Sequence, residues 1–205
     1  MKNPRKLYLL AFCGSIAEWY DFSIYAFLAV VLGKVFFASS TPQMALIKAF
    51  AIFSISYLAR PIGSIVFGYI GDRFGRRISL RLSLLLMAIP AALIGLLPTY
   101  DSVGFLATVF LIALRFTQGF ATGGEFPGIA CYVYEAAKPE RKNFLCSIAV
   151  ASPTMGLLLA SLVATALHAF VPEQAIYDWA WRVPFLISIL ILFFIFYIRK
   201  DLEET

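Results

Sequence analysis

The sequence predicts an all-α polytopic membrane protein, a single bundle of six transmembrane helices that occupies residues 1–205. Hydrophobic residues make up 61% of the chain and the mean hydropathy is +0.84, while charged residues reach only 14%. In a soluble domain about a quarter of the residues are charged. Apolar runs of the roughly 20 residues that a membrane-spanning helix needs recur six times. The connections between them are short, so no separate soluble domain is expected.

The six predicted spans are joined by turn residues such as Thr41-Pro42 and Pro98-Thr99. The longer spans are expected to tilt or to extend beyond the lipid. Their predicted bounds are residues 7–33, 45–71, 78–98, 104–135, 143–170 and 179–198.

The distribution of Lys and Arg predicts the orientation of these spans, because cytoplasmic loops carry the excess of basic residues. Twelve Lys and Arg residues fall on one set of helix ends, which includes both termini, and the other set has only Lys34, Lys48 and Arg182. We therefore expect both termini in the cytoplasm and the protein in a bacterial cytoplasmic (inner) membrane. The net charge of +5 does not indicate nucleic-acid binding, since the basic residues lie in short loops between apolar runs.

Several classes of function are excluded by what the sequence contains. The three cysteines, Cys13, Cys131 and Cys146, have no metal-ligand spacing, and the single histidine, His168, is near an outer helix end. No glycine-rich phosphate-binding loop follows a strand pattern. We expect no enzyme activity, no cofactor and no metal.

The stretch RPIGSIVFGYIGDRFGRR, residues 60–77, passes from apolar helix to charged turn. Its first part must lie in lipid or protein, and its charged end must lie in water or headgroups. A tight turn at the membrane surface, with glycines for close approach, satisfies both demands. The residues of this predicted gating loop are Gly68, Gly71, Asp72, Arg73, Gly75, Arg76 and Arg77.

These residues resemble the signature of the loop between helices two and three in the major facilitator superfamily. The segments Arg60–Gly63, Glu18–Phe22 and Trp181–Leu186 resemble one branch of it, the metabolite:proton symporters, which includes proline/betaine, α-ketoglutarate, citrate and shikimate transporters. The resemblance implies one six-helix half of a twelve-helix fold, built from two inverted three-helix repeats. It also implies that Asp72 stands near helix ends of an opposite half.

Five charged residues lie within the apolar spans: Glu18, Asp21, Arg60, Arg115 and Glu125. Charge is costly there, so each is a functional candidate, with a static ion pair as the alternative. At a rise of about 1.5 Å per residue, Glu18, Arg60 and Glu125 reach a common depth of about 15 Å. Transporters of this kind bind substrate near that level.

We predict proton coupling at Glu18, Asp21 or Glu125. Glu18 and Asp21 are three residues apart and share a helix face, so one of them should retain a proton. Arg115 joins this group by resemblance, because the matching arginine in helix four of the superfamily is linked to proton coupling.

We predict substrate binding at Arg60, which could hold an anionic group or neutralise a carboxylate. Trp19, Tyr20 and Tyr25 could form an apolar or cation-binding wall. Phe22 is interpreted as a core residue.

The function that follows is symport of a small metabolite (a carboxylate, amino acid or betaine) with protons, or else sodium, by alternating access. The working unit is expected to be a pair of six-helix bundles, either a second copy in parallel orientation or a C-terminal half. The alternatives are a non-transporting half, a channel and a structural membrane protein.

Overall fold

The computed structural model confirms the all-α fold, since every regular element in the described part of the chain is helical. Its description covers the backbone of residues 4–38 and 40–199, and the side chains of residues 13, 15–38, 40–76, 78–124, 134–135, 137–148, 150–190 and 193.

The described helices are α1 (Pro4–Phe27), α2 (Ala29–Phe36), α3 (Pro42–Phe74), α4 (Arg76–Leu96), α5 (Tyr100–Val103), α6 (Phe105–Ala136), α7 (Lys142–Phe170), α8 (Glu173–Ala175) and α9 (Arg182–Arg199). A short 3₁₀ turn, Pro139–Arg141, precedes α7, and a π-helical turn, Ile176–Ala180, precedes α9.

Four described helices, α3, α4, α6 and α7, include a segment long and apolar enough to cross a membrane, and the bent pair α1–α2 makes a fifth. The predicted sixth span falls on α9, whose side chains are described only in part. We call α1–α2, α3, α4, α6, α7 and α9 spans one to six. Span two is longer than predicted, because Thr41 caps it by accepting a hydrogen bond from the Met44 amide and the helix continues through Pro61.

Span one differs from the unbroken helix predicted for residues 7–33, since α1 and α2 meet at an angle of 63°. No proline or glycine marks the bend, which falls at Leu28. Packing at the C-terminal end of α2 accounts for it. The Phe36 ring lies 5.5 Å from that of Trp181, and the Thr108 hydroxyl donates to the Phe36 carbonyl at 2.9 Å.

The principal packing pairs are spans two and four, one and five, three and four, and three and six, and spans one and six are also in contact. An inverted repeat relates spans one, two and three to spans four, five and six. It converts the pair one–five into the pair four–two and the pair three–four into the pair six–one, and it leaves the pair three–six unchanged. The observed pairs therefore have the symmetry of two inverted three-helix repeats.

Spans two and four cross so closely that their backbones touch. A methyl group added at Gly63 would lie 1.8 Å from the Phe120 carbonyl oxygen, and one added at Gly119 would lie 2.0 Å from the Ser56 carbonyl oxygen. The Ser56 hydroxyl also donates to the Arg115 carbonyl at 2.9 Å. Small residues permit such approach between membrane helices, and interhelical hydrogen bonds add to it.

We predict that Gly63→Ala destabilises the bundle by about 1–3 kcal/mol, since the new methyl group must push the two backbones apart. Unfolding can be followed with a thiol-reactive fluorophore, because Cys13 and Cys146 form no disulfide and are half-buried. The matched control is Gly68→Ala in the same helix, where an added methyl group meets no atom within 4 Å. Equal melting temperatures for the two variants would contradict the close crossing.

Candidate substrate and proton site

A cavity of about 390 Å³ lies where spans one, two, four and five meet. The crossing of spans two and four shapes it, because the Ser64 hydroxyl donates to the Gly123 carbonyl at 2.7 Å. The lining residues are Glu18, Trp19, Arg60, Ser64, Thr122, Gly123, Val150 and Pro153. This substrate cavity, as we call it, brings together three of the residues predicted from sequence, namely Glu18, Trp19 and Arg60.

Arg60 lines this cavity, and three aromatic rings surround its guanidinium. Its guanidinium carbon lies 4.4 Å from the ring centre of Phe22, 4.6 Å from that of Tyr57 and 5.6 Å from that of Trp19. Its Nε and Nη2 atoms have no hydrogen-bond partner among the described residues. No described carboxylate lies within 4.0 Å of it. The arrangement offers an incoming anion a cation that is already partly desolvated.

A second, narrower space lies deeper in the bundle, between α1, α4 and α6. It is too narrow to admit a water molecule. Its lining residues are Glu18, Asp21, Phe22, Met87, Arg115, Gln118 and Thr122. We call it the inner crevice.

Asp21 and Arg115 face each other across the inner crevice, and both are buried. Their charges are close enough to interact, although the two groups are beyond the 4.0 Å of an ion pair. Both Asp21 oxygens lack a hydrogen bond of good geometry, and the Ser188 hydroxyl is the other polar group near them. A buried carboxylate and a buried guanidinium held in this way are each other's principal charge compensation.

Arg115 is held by polar and aromatic contacts. Its Nη1 donates to Gln118 Oε1 at 2.8 Å, and its guanidinium carbon lies 4.1 Å from the Tyr25 ring centre. Phe22 and Phe53 lie 5.2 and 5.8 Å away. Its Nε and Nη2 atoms are buried without a hydrogen-bond partner in the described part of the chain. The sequence analysis placed Arg115 within an apolar span, and the structure adds its position opposite Asp21.

Glu18 and Thr122 line both spaces, so they form the boundary between the substrate cavity and the inner crevice. Glu18 is 2% exposed, which places its carboxylate at the edge of the cavity and not within open solvent.

The structure does not bring Tyr20 and Tyr25 to the substrate cavity. The Tyr20 hydroxyl donates to the Pro184 carbonyl of α9 at 3.1 Å, and the Tyr25 hydroxyl donates to the Ala49 carbonyl of α3 at the same distance. Both rings are fully buried, and neither lines the cavity. Glu125 lies in α6, but its side chain is outside the described residues.

The predicted gating loop is a tight turn between α3 and α4. Gly75 has φ +98°, which favours glycine, and it ends one helix and begins the next. Arg76 binds Asp72 at 3.0 Å, and its Nε lies 3.8 Å from Glu135 Oε1 at the end of α6. An added methyl group at Gly71 would contact Arg76 Nη1 at 3.0 Å. The loop is therefore linked by charge to span four.

Two other arginines of the loop are placed differently. Arg73 donates to the Tyr69 hydroxyl on its own helix and lies beside the Phe74 ring. The side chain of Arg77 is outside the described residues.

Sequence reasoning did not assign a role to Glu135, Gln118 or Thr122, and it interpreted Phe22 as core. A signal for Phe22 was present, because Trp19, Phe22 and Tyr25 repeat every three residues and so share one face of α1. Within the described residues, no group of three or more His, Cys, Asp or Glu could hold a metal ion.

Solved structures with the same fold are sugar symporters. A structure of the major facilitator superfamily proton:xylose symporter XylE bound to 6-bromo-6-deoxy-D-glucose has a TM-score of 0.85 at 20% identity, over 98% of this chain and 45% of that chain. The inward-open xylose transporter XylE from E. coli has a TM-score of 0.84 at 19% identity, over 97% and 48%. The fold is thus that of half a major facilitator transporter.

Residues 7–205 match the family described as "Sugar (and other) transporter", and the chain belongs to this family. It is 36% identical to the Proline/betaine transporter of Escherichia coli (strain K12) over 201 residues, which are 98% of this chain and 40% of that protein. It is also 36% identical to the Shikimate transporter of the same strain over 206 residues, 100% of this chain and 47% of that protein. The chain spans less than half the length of these relatives.

Proposed function

We propose that this bundle takes part in proton-coupled symport of a small metabolite that carries a carboxylate, by alternating access in a bacterial cytoplasmic membrane. The observation that carries the proposal is the position of Arg60, which forms no ion pair with a described carboxylate, at a substrate cavity that shares Glu18 and Thr122 with the crevice of Asp21 and Arg115.

Arg60 is the proposed ligand for the substrate carboxylate. Its planar guanidinium can donate two parallel hydrogen bonds to a carboxylate, and the described residues leave Nε and Nη2 without a partner. Trp19 lines the same cavity and offers a ring face to a substrate ammonium group. Proline, betaine and shikimate, the compounds in the names of the relatives, all carry a carboxylate. Tyr20 and Tyr25 have no part in this binding site.

Asp21 is the proposed carrier of the coupled proton. Water can enter the substrate cavity but not the inner crevice, so a proton must cross the boundary that Glu18 and Thr122 form. Glu18, three residues before Asp21 on the same helix face, can pass the proton on. Protonation of Asp21 removes the charge that compensates Arg115, which weakens the attraction between span one and span four. That change in attraction is the proposed link between the proton and helix movement.

The proposed working unit is a pair of six-helix bundles in the same orientation, with both termini in the cytoplasm. The short length of the chain relative to its relatives supports a second bundle. The second bundle is proposed to be a second copy of this chain, with a C-terminal half as the alternative. Exposed apolar residues on spans two and five supply surface for the contact between the two bundles or for contact with lipid. They include Leu58, Ile65, Val150 and Leu157.

Asp21→Asn is expected to abolish proton-driven uptake in proteoliposomes while substrate exchange between the two sides continues, because the amide cannot carry a proton. Glu18→Gln is expected to slow proton-driven uptake by about tenfold or more without abolishing it. The control is Asp101→Asn, an exposed acid at the outer side. If Asp21→Asn retained proton-driven accumulation, the assigned proton site would be wrong, and absence of exchange in the unmodified protein would favour a channel or a passive bundle.

Arg60→Lys is expected to raise the KM for a carboxylate substrate by about tenfold, since lysine keeps the charge and loses the second parallel hydrogen bond. Uptake kinetics with the substrate and with its methyl ester measure this effect. The unmodified protein should prefer the acid to the ester, and Arg60→Lys should narrow that preference. A KM that does not change would argue that Arg60 has only a structural role.

A cysteine introduced at Asp72 is expected to crosslink to a cysteine at Lys142, the cytoplasmic end of span five, in a second copy. The background protein lacks Cys13, Cys131 and Cys146. Dimeric crosslinked product and dimeric mass in detergent would agree with two copies. A monomeric protein without intermolecular crosslinks, inactive in liposomes, would contradict the pairing of two copies.

A further inference from the structure

Five aromatic rings connect the two arginines of the site. Trp19, Phe22 and Tyr25 come from one face of α1, and Phe53 and Tyr57 come from one face of α3. Phe22 lies at their centre, with ring-to-ring distances of 4.6 Å to Phe53, 4.7 Å to Tyr57 and 6.4 Å to Trp19. We call these five residues the aromatic bridge.

Phe22 is the one ring in the described structure that contacts both cations. Its ring centre is 4.4 Å from the guanidinium carbon of Arg60 and 5.2 Å from that of Arg115. The ring is 3% exposed and lines the inner crevice. Phe53 and Tyr25 contact only Arg115, while Tyr57 and Trp19 contact only Arg60.

The charges around this ring would pair differently without it. Arg60 lines the same cavity as Glu18, and Glu18 and Asp21 line the crevice behind Phe22. A partly buried guanidinium gains more from a carboxylate than from aromatic rings. Yet no described carboxylate lies within 4.0 Å of Arg60. The Phe22 ring holds the Arg60 guanidinium by a cation–π contact and lines the crevice that Asp21 and Arg115 also line, so the ring separates Arg60 from that crevice.

The described polar and charged groups around Asp21 come from three helices. On α1 they are Glu18 and Tyr20, and on α6 they are Arg115 and Gln118. Ser188 on α9 also lies beside it. Arg60 and Tyr57 on α3 both contact the Phe22 ring, which lines the crevice with Asp21. Arg60 is thus a cation beside this ring that a side-chain movement could add to the set.

We propose that Phe22 is a positioning residue that keeps Arg60 apart from Glu18 and Asp21. The substrate site and the proton site then remain two separate charge sites. When the ring is removed, Arg60 swings onto the carboxylates and forms an internal ion pair. That ion pair makes Arg60 unavailable to the substrate carboxylate, and it also engages Asp21, the proposed proton carrier. The proposal rests on the function proposed above for Arg60 and Asp21.

Modification of Arg60 by phenylglyoxal tests this without any need for transport. The reagent attacks unprotonated guanidine, so an arginine in an ion pair reacts more slowly than an unpaired one. The purified full chain in detergent is treated, and the modified fraction of each arginine is measured by mass spectrometry. Exposed Arg73 serves as the internal reference.

Phe22→Leu is expected to slow modification of Arg60 relative to Arg73 by about fivefold, which is the effect of a modest ion pair. In Phe22→Tyr, which retains the ring, Arg60 should be modified at the same rate as in the unmodified protein. The matched control is Phe53→Leu, because Phe53 belongs to the aromatic bridge but does not contact Arg60. Adding Glu18→Gln and Asp21→Asn to Phe22→Leu should restore the rate, since the partners of the new ion pair are gone.

An equal rate for Arg60 in Phe22→Leu and Phe53→Leu would overturn the proposal, and so would a slow rate that the two amide substitutions do not restore. If Phe22→Leu does not fold, Phe22→Met replaces the ring with a flexible side chain of similar size and is judged by the same criteria. Failure of proton-driven uptake in the unmodified protein would refute the proposed symport but leave the Arg60 reactivity readout intact. If the unmodified protein carries out symport but Phe22→Leu leaves the modification rate of Arg60 unchanged, only the positioning role of Phe22 is refuted.

Discussion

The backbone contact between spans two and four is the constraint on which the site depends. Gly63, Gly119 and Gly123 leave no space for a methyl group between the two helices. Because the helices touch, Arg60 on one and Arg115 on the other reach the same ring of span one. A wider separation would admit side chains or water between them, and the two arginines would then lie in one solvated cavity.

The same arrangement occurs a second time through the inverted repeat. Gly156 of span five lies against the Ile16 carbonyl of span one, where a methyl group would come within 2.4 Å of the oxygen. Gly63 of span two lies against span four in the equivalent way. The crossings of spans two and four and of spans five and one thus share the same glycine-to-carbonyl packing, and the substrate cavity lies between them. This placement explains why the cavity takes residues from spans one, two, four and five.

The sequence predicts the class of fold, the gating loop and the charged residues at membrane depth, because these depend on composition, glycine and the cost of buried charge. The pairing of Asp21 with Arg115 is less accessible, since spans one and four are far apart in the chain. The bend at Leu28 is not visible in the sequence, because distant contacts of Phe36 cause it. Tyr20 and Tyr25 look like cavity residues by position, and only the carbonyl groups of neighbouring helices show where their hydroxyls turn. Phe22 has the same apolar appearance as any core residue, and its role is defined by two cations on other helices.

The bend in span one has a mechanical consequence. Leu28 and Leu32 keep their backbone hydrogen bonds, at 3.0 Å to Ile24 and 2.9 Å to Leu28, so the helix changes direction without losing either of these bonds. A joint of this kind can rotate through the dihedral angles of a few residues. Since α2 has only eight residues, it is too short to hold its direction alone, and its C-terminal end is tied to Trp181 and Thr108. Span one therefore has a joint about two turns beyond Asp21, and the short helix beyond that joint is held by Trp181 and by Thr108 of span four. A displacement of Trp181 or of span four at this end would therefore move α2. Through the joint at Leu28, α2 would in turn move the part of α1 that carries Glu18, Asp21 and Phe22.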